Sequence, residues 1–152
     1  MFSRRRSREF LLQSLYSRHE LGDAFVREDF LDSYFDADNI ASIDMTYVDT
    51  MEKAIIAHEA ELISIVQTLA PKFELSTIPV MHIMIIMIAL TEMLYASSAD
   101  TPEPVSVNEA IELAKRFSDD QGRMFINGAL STFLKKRETV MLSKKETEFR
   151  IF

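Results

Sequence analysis

A chain of 152 residues is one domain's worth of sequence and is long enough to bury a real core. Three glycines and four prolines are too few for the turns of a many-stranded sheet, so an apolar content of 47% points to an all-α bundle. The lack of cysteine excludes a disulfide framework or thiolate metal site and fits a reducing cytoplasm, while a net charge of −7 argues against indiscriminate nucleic-acid binding.

The charge is unevenly placed. Residues 1–19 hold five arginines (4, 5, 6, 8 and 18) against Glu9 alone, whereas 20–61 hold twelve acids against Arg27 and Lys53. An acidic body with one basic end suits a protein with a single chosen polyanion surface. No apolar stretch of about 7–15 residues follows the N-terminal arginines, so MFSRRRSREF does not read as a secretory signal.

Ser3 is placed to cap a first helix that Gly22 ends. Leu11, Leu15 and Arg18 share one side of it, and Arg5, Leu12 and Tyr16 another, since eleven residues make close to three turns. The arginines therefore prolong a helix anchored in the core. SRRRSRE has a plain reading as a solvated, frayed terminus. Four arginines in five positions, with an aromatic further along the same side, instead fit phosphate contact with base stacking, and arginine suits both better than lysine.

Residues 25–35 read as a short second helix with Phe25, Phe30, Leu31, Tyr34 and Phe35 as its apolar members, followed by the loop DADNIASID. A long third helix is expected over 45–69, closed by Pro71, with His58 as a half-buried structural histidine and Glu59 and Glu61 on a solvated face. The stretch 80–96, VMHIMIIMIALTEMLYA, is apolar on every side from 83 to 90, which places it at the centre of a bundle. His82, Thr91 and Glu92 interrupt it, and no basic cluster flanks it, so it does not read as a membrane span. Ser76 or Thr77 is placed to cap it ahead of Pro79.

SSADTPEP (97–104) is the clearest loop. After it, Ser106 and Glu109 have the spacing of a capping box for a helix that buries Ala110, Ile111, Ala114 and Phe117, with Glu112 and Arg116 as an i,i+4 pair. SDDQG then breaks the chain before a last helix over 123–137, which carries Phe125, Ile126, Ala129, Leu130, Phe133 and Leu134 inward. Gly128 inside that helix suggests close backbone approach to the central one. Residues 138–152 carry no strong signal. No phosphate loop, metal-ligand spacing or catalytic motif is present, and the three histidines stand apart, so nothing argues for an enzyme, a metal or a cofactor.

SRRRSREFLLQSLYS (3–17), IALTEM (88–93) and PVSVNEAIELAKRFSDDQGRMFINGALSTFL (104–134) resemble, in order and spacing, the transcription antitermination factor NusB family, over roughly 3–137. The resemblance implies an all-α fold of about seven helices around the central apolar one, built as two packed bundles. It implies a cytoplasmic, non-catalytic factor that binds boxA-type single-stranded RNA together with the ribosomal protein NusE. Such a factor helps assemble the antitermination complex on RNA polymerase during ribosomal RNA synthesis. The family's RNA-contacting positions fall on Arg4, Arg5, Arg6, Arg8 and Tyr16, and on Gln121, Gly122, Arg123 and Phe125 in the turn entering the last helix. Asn108, Glu109, Asn127 and Gly128 are read as fold-bearing.

This chain departs from the family at three positions. Met124 replaces a common lysine beside Arg123, Met87 replaces a basic residue, and His82 replaces an acidic residue associated with NusE contact. His82 and Met87 are the expected partner-binding positions. The expected organisation is a single RNA-binding domain over 1–137 and a C-terminal extension over 138–152, with a homodimer left open. The competing reading is a protein-interaction module that kept the fold and lost boxA recognition, a reading to which the acidic surface and the altered central helix lend weight.

Overall fold

The structure is a computed structural model that describes residues 1–34, 37–96 and 101–152, and the elements among them are all helices. In chain order they are α1 (Arg4–Leu21), α2 (Arg27–Tyr34), α3 (Ala37–Ala41), α4 (Met45–Ala57), α5 (Glu59–Leu69), α6 (Val80–Tyr95), α7 (Glu103–Phe117) and α8 (Asp120–Ser143). Single 3-10 turns lie at Gly22–Ala24 and Leu75–Thr77. Phe35 and residues 97–100 of the expected loop lie outside the described residues.

Helix α6 is the centre. Every residue from Ile83 to Met93 is buried, and α1, α4, α5, α7 and α8 all pack on it. A helix with no polar face has to be enclosed on all sides, and five neighbours do this. Each buried Ile, Leu or Met contributes about 1.5–3 kcal/mol of transfer free energy. Thr91 satisfies its hydroxyl within the helix, donating to the Met87 carbonyl at 2.6 Å. No helix among the described residues is long and apolar enough to cross a membrane.

Helix α1 starts and stops where expected. The Ser3 hydroxyl accepts from the Arg6 amide, and Gly22 closes the helix at φ 57°, a left-handed conformation that glycine adopts freely. Phe10, Leu11, Leu12 and Leu15 are buried, with the Phe10 ring 5.5 Å from Phe30 of α2.

Elsewhere the local expectations yield to tertiary contacts. The expected helix over 45–69 is two helices, broken at His58 (φ −108°, ψ 18°), whose half-buried ring stacks on Tyr95 at 3.8 Å. Glu59 is buried rather than solvated, and its carboxylate accepts from the amides of Ile151 and Phe152 at 2.6 and 3.0 Å. His19 Nδ1 donates to the Ile151 carbonyl at 2.6 Å, so the segment after α8 is docked against α1 and α5. Part of the expected loop DADNIASID is helical, as α3. Helix α6 has no side-chain cap; Thr77 donates instead to the Glu74 carbonyl.

Helix α7 begins at Glu103, with Pro104 in its first turn, so Ser106 and Glu109 lie inside the helix and form no capping box. Helix α8 is capped by Asp119 and runs past residue 137 to Ser143; what the sequence suggested as its end is a kink at Lys136 (φ −126°, ψ 31°). Asn108 and Asn127 are exposed. Gly128 is exposed too, and a β-carbon there would meet nothing within 4 Å, so close packing on α6 is not its reason. Gly128→Ala is therefore expected to stabilise the protein by about 0.5–1 kcal/mol, read as a higher denaturant midpoint, because alanine loses less backbone entropy in a helix.

Candidate nucleic-acid interface

The N-terminal turn of α1 is fixed to its surroundings by backbone and hydroxyl contacts. The Ser3 amide donates to the Ser42 carbonyl, and the buried Ser7 hydroxyl donates to the Ser3 carbonyl while accepting from the Asp44 amide, each at 2.8 Å. The arginines of this turn are consequently held in place, not frayed.

Three of them face outward. Arg4 lies 4.1 Å from the centroid of the Tyr47 ring and 3.5 Å from Asp44. Arg5, 58% exposed at its side chain, grips Glu109 of α7 with two hydrogen bonds of 3.2 and 3.0 Å. Arg6 donates to the Asn39 side chain. Each guanidinium keeps a face to solvent and a partner at its back.

Arg8 differs. Its side chain is 5% exposed, and it donates to the equally buried Glu92 of α6 through Nε at 2.6 Å and Nη2 at 3.3 Å. Glu92 also accepts from the Tyr47 hydroxyl of α4 and from the Ser106 hydroxyl of α7 at 2.7 Å. Glu109 stands 3.7 Å from Arg8 while holding Arg5. One carboxylate thus ties four helices together beneath the exposed arginines. Burial, and then the charge of Glu92, pushes the Tyr47 phenol well above its ordinary value, so it stays a hydrogen-bond donor. The phosphate role expected of Arg8 does not fit this burial: its charge is already neutralised inside the core.

Tyr16 is 37% exposed on the same stripe as Arg5, about 16 Å along α1 at 1.5 Å per residue. The second expected group lies at the start of α8. Asp119 accepts from the Gly122 amide at 2.8 Å, Gln121 is exposed, and Arg123 pairs with Asp120 at 3.2 Å. Phe125 is partly buried, edge-on to Phe73 at 5.7 Å. A β-carbon at Gly122 would overlap the Ser118 hydroxyl and the His82 ring, so both side chains would have to move to admit one.

His82 Nε2 sits 2.6 Å from the Ser118 hydroxyl and its ring 6.2 Å from Phe125, so it underlies the α8 entrance. Met87 is fully buried in the core, which removes it as a direct partner contact. Beside His82, Leu69, Pro71, Phe73, Met124 and Phe125 line an apolar groove, with Phe73 and Met124 strongly exposed.

Burial holds the His82 pKa below its ordinary value, with Asp119 opposing. A histidine whose folded pKa is depressed stabilises the fold above its unfolded value, near 6.5, and that contribution is lost as pH falls through the folded value. Melting temperature is therefore expected to drop as pH falls below about 6.5, and His82→Gln should shed part of that slope. An unchanged slope would remove His82 as its source.

Two contributors were missed in the sequence. In the sequence Glu92 reads as a mere interruption, although a charge in an apolar helix has to find a partner. The i,i+4 spacing points Arg116 to Glu112; instead it pairs with Glu9 of α1 at 3.0 Å, and Glu112 pairs with Lys115. No cluster of three metal-ligating side chains occurs among the described residues.

A family model described as the NusB family matches residues 5–135. The chain is 30% identical over 140 residues to the transcription antitermination protein NusB of Finegoldia magna, covering 92% of this chain and 99% of that one. It is 34% identical over 142 residues to the protein of the same name from Enterococcus faecalis, covering 88% and 90%. For the Clostridium perfringens protein the figures are 33% over 138 residues, covering 90% and 99%.

Proposed function

This chain belongs to the NusB family of transcription antitermination proteins, and on that premise we propose that it is a non-catalytic antitermination factor that binds boxA-type single-stranded RNA. In this reading it acts in the cytoplasm with the ribosomal protein NusE, within the antitermination complex on RNA polymerase, in support of ribosomal RNA transcription. The observation that carries it is the turn of Arg4, Arg5 and Arg6, exposed yet fixed to the folded body.

Phosphates displace Asp44 from Arg4, Glu109 from Arg5 and the Asn39 side chain from Arg6, and Arg8 acts from beneath as a positioning residue. Tyr16 and Phe125 offer ring faces to unpaired bases, with Gln121 and Arg123 as hydrogen-bond donors, because phosphate contacts alone carry no sequence information. NusE is assigned to the apolar groove beside His82, with Met87 supporting it only through the core. The exposed Phe73 and Met124 also favour the second reading, a protein-interaction module without boxA recognition.

Titration of labelled boxA-type RNA against a scrambled RNA, at two salt concentrations and with or without NusE, separates the two. Tighter, selective binding with NusE is expected. Equal binding of the scrambled RNA with NusE present would leave the second reading standing.

A further inference from the structure

The α1 arginine turn and the start of α8 are separate clusters, and the last turn of α7 lies between them. Along α1, Arg5 and Glu9 pair with Glu109 and Arg116 along α7, so the two helices run in the same direction. Arg116 therefore stands beyond Arg5 on the side from which α8 departs, four residues before Asp120. With Arg5, Arg6, Glu9 and Gln13 it lines a concave surface between the helices.

We infer that Arg116 is a phosphate contact that joins the two clusters into one RNA track, with Glu9 as the carboxylate it exchanges for RNA. This inference rests on the RNA-binding reading above. Three observations support it. The Arg116 guanidinium is 64% exposed, so a phosphate can reach it without opening the core. Its partner Glu9, on another helix, is 18% exposed at its side chain and holds Arg116 only through a guanidinium that stays largely in water, so the pair is screened and a phosphate can take the carboxylate's place from the solvent side. Arg8, 5% exposed against Glu92, has no such freedom. The Phe117 ring, 5.5 Å beneath the guanidinium, keeps the fork at the surface when Glu9 lets go.

The exchange also has a selective use. Until a phosphate replaces it, the Glu9 carboxylate repels any polyanion that does not seat against Arg116. Specificity is then partly a penalty on poorly seated RNA.

The test compares wild type, Arg116→Ala, Glu9→Gln, the double variant and Arg5→Ala, each titrated with boxA-type RNA across a salt series. Arg116→Ala is expected to weaken binding roughly three- to tenfold and to flatten the log–log salt slope by about 0.7, the value for one phosphate on a single strand. Glu9→Gln is expected to tighten binding, and the double variant to behave as Arg116→Ala alone, because the carboxylate acts only through its arginine. Melting curves should stay near wild type for all of these. If Arg116→Ala keeps the wild-type slope while Arg5→Ala loses affinity, the inference fails and the RNA reading survives. If Glu9→Gln tightens binding equally with and without Arg116, the exchange is overturned as general charge removal. If wild type shows no salt-sensitive RNA binding, both fail together.

Discussion

Glu92→Ala is expected to destabilise the protein by about 3–5 kcal/mol, the range for leaving one half of a buried ion pair uncompensated. Glu92 accepts from Arg8, Tyr47 and Ser106, on three different helices, so its removal strands a buried guanidinium and two hydroxyls at once. At roughly 2–4 °C per kcal/mol for a chain of this size, the melting temperature should fall by about 10 °C. Replacing the pair together, Glu92→Leu with Arg8→Met, is expected to cost less than either change alone, since no charge is then left without a partner. Additive losses in that double variant would show that Arg8 and Glu92 contribute independently.

Changing Arg4, Arg5 and Arg6 together to alanine should do the opposite: leave the melting temperature near wild type and remove most RNA affinity. All three guanidiniums meet their partners (Asp44 and the Tyr47 ring, Glu109, Asn39) from the solvent side, whereas α1 is secured by Ser3, Ser7 and its buried leucines. Losing three phosphate contacts should lower the salt slope by about 2. Tyr16→Phe should change preference among RNAs more than it changes that slope, because it removes a hydroxyl able to hydrogen-bond a base edge while leaving the ring and the net charge unchanged. A triple variant with wild-type affinity would sink the proposed interface, and one that unfolds would show that these arginines belong to the core.

The parts legible in the sequence were those governed by short-range rules. An unbroken apolar run must lie at the centre of a bundle, and 83–90 does. Ser3 and Gly22 bound α1 as their types require. Partner choice was not legible, because it depends on which helix lies opposite. Ser106 and Glu109 have capping-box spacing, yet Pro102, Glu103 and Pro104 start the helix earlier, which frees the serine for Glu92 and the glutamate for Arg5. Arg116 has Glu112 one turn back and chooses Glu9 instead. The break at His58 has no glycine or proline to announce it; the stacked Tyr95 ring is contributed by another helix. Of the arginines, 4, 5 and 6 matched a surface reading and Arg8 did not, since one position on a helix separates outside from inside.

The tether beneath the arginine turn also bears on the thermodynamics of recognition. Arginine-rich segments that are disordered when free must become helical at the moment they meet RNA, and that ordering is subtracted from their affinity. Here Glu92, Ser7 and the backbone of Ser3 impose the helix during folding, so in the RNA-binding reading proposed above the encounter has little conformational entropy left to lose. Association then resembles the docking of rigid surfaces. A weakened core reaches the RNA as a lower population of binding-competent molecules, even when every residue that touches RNA is intact.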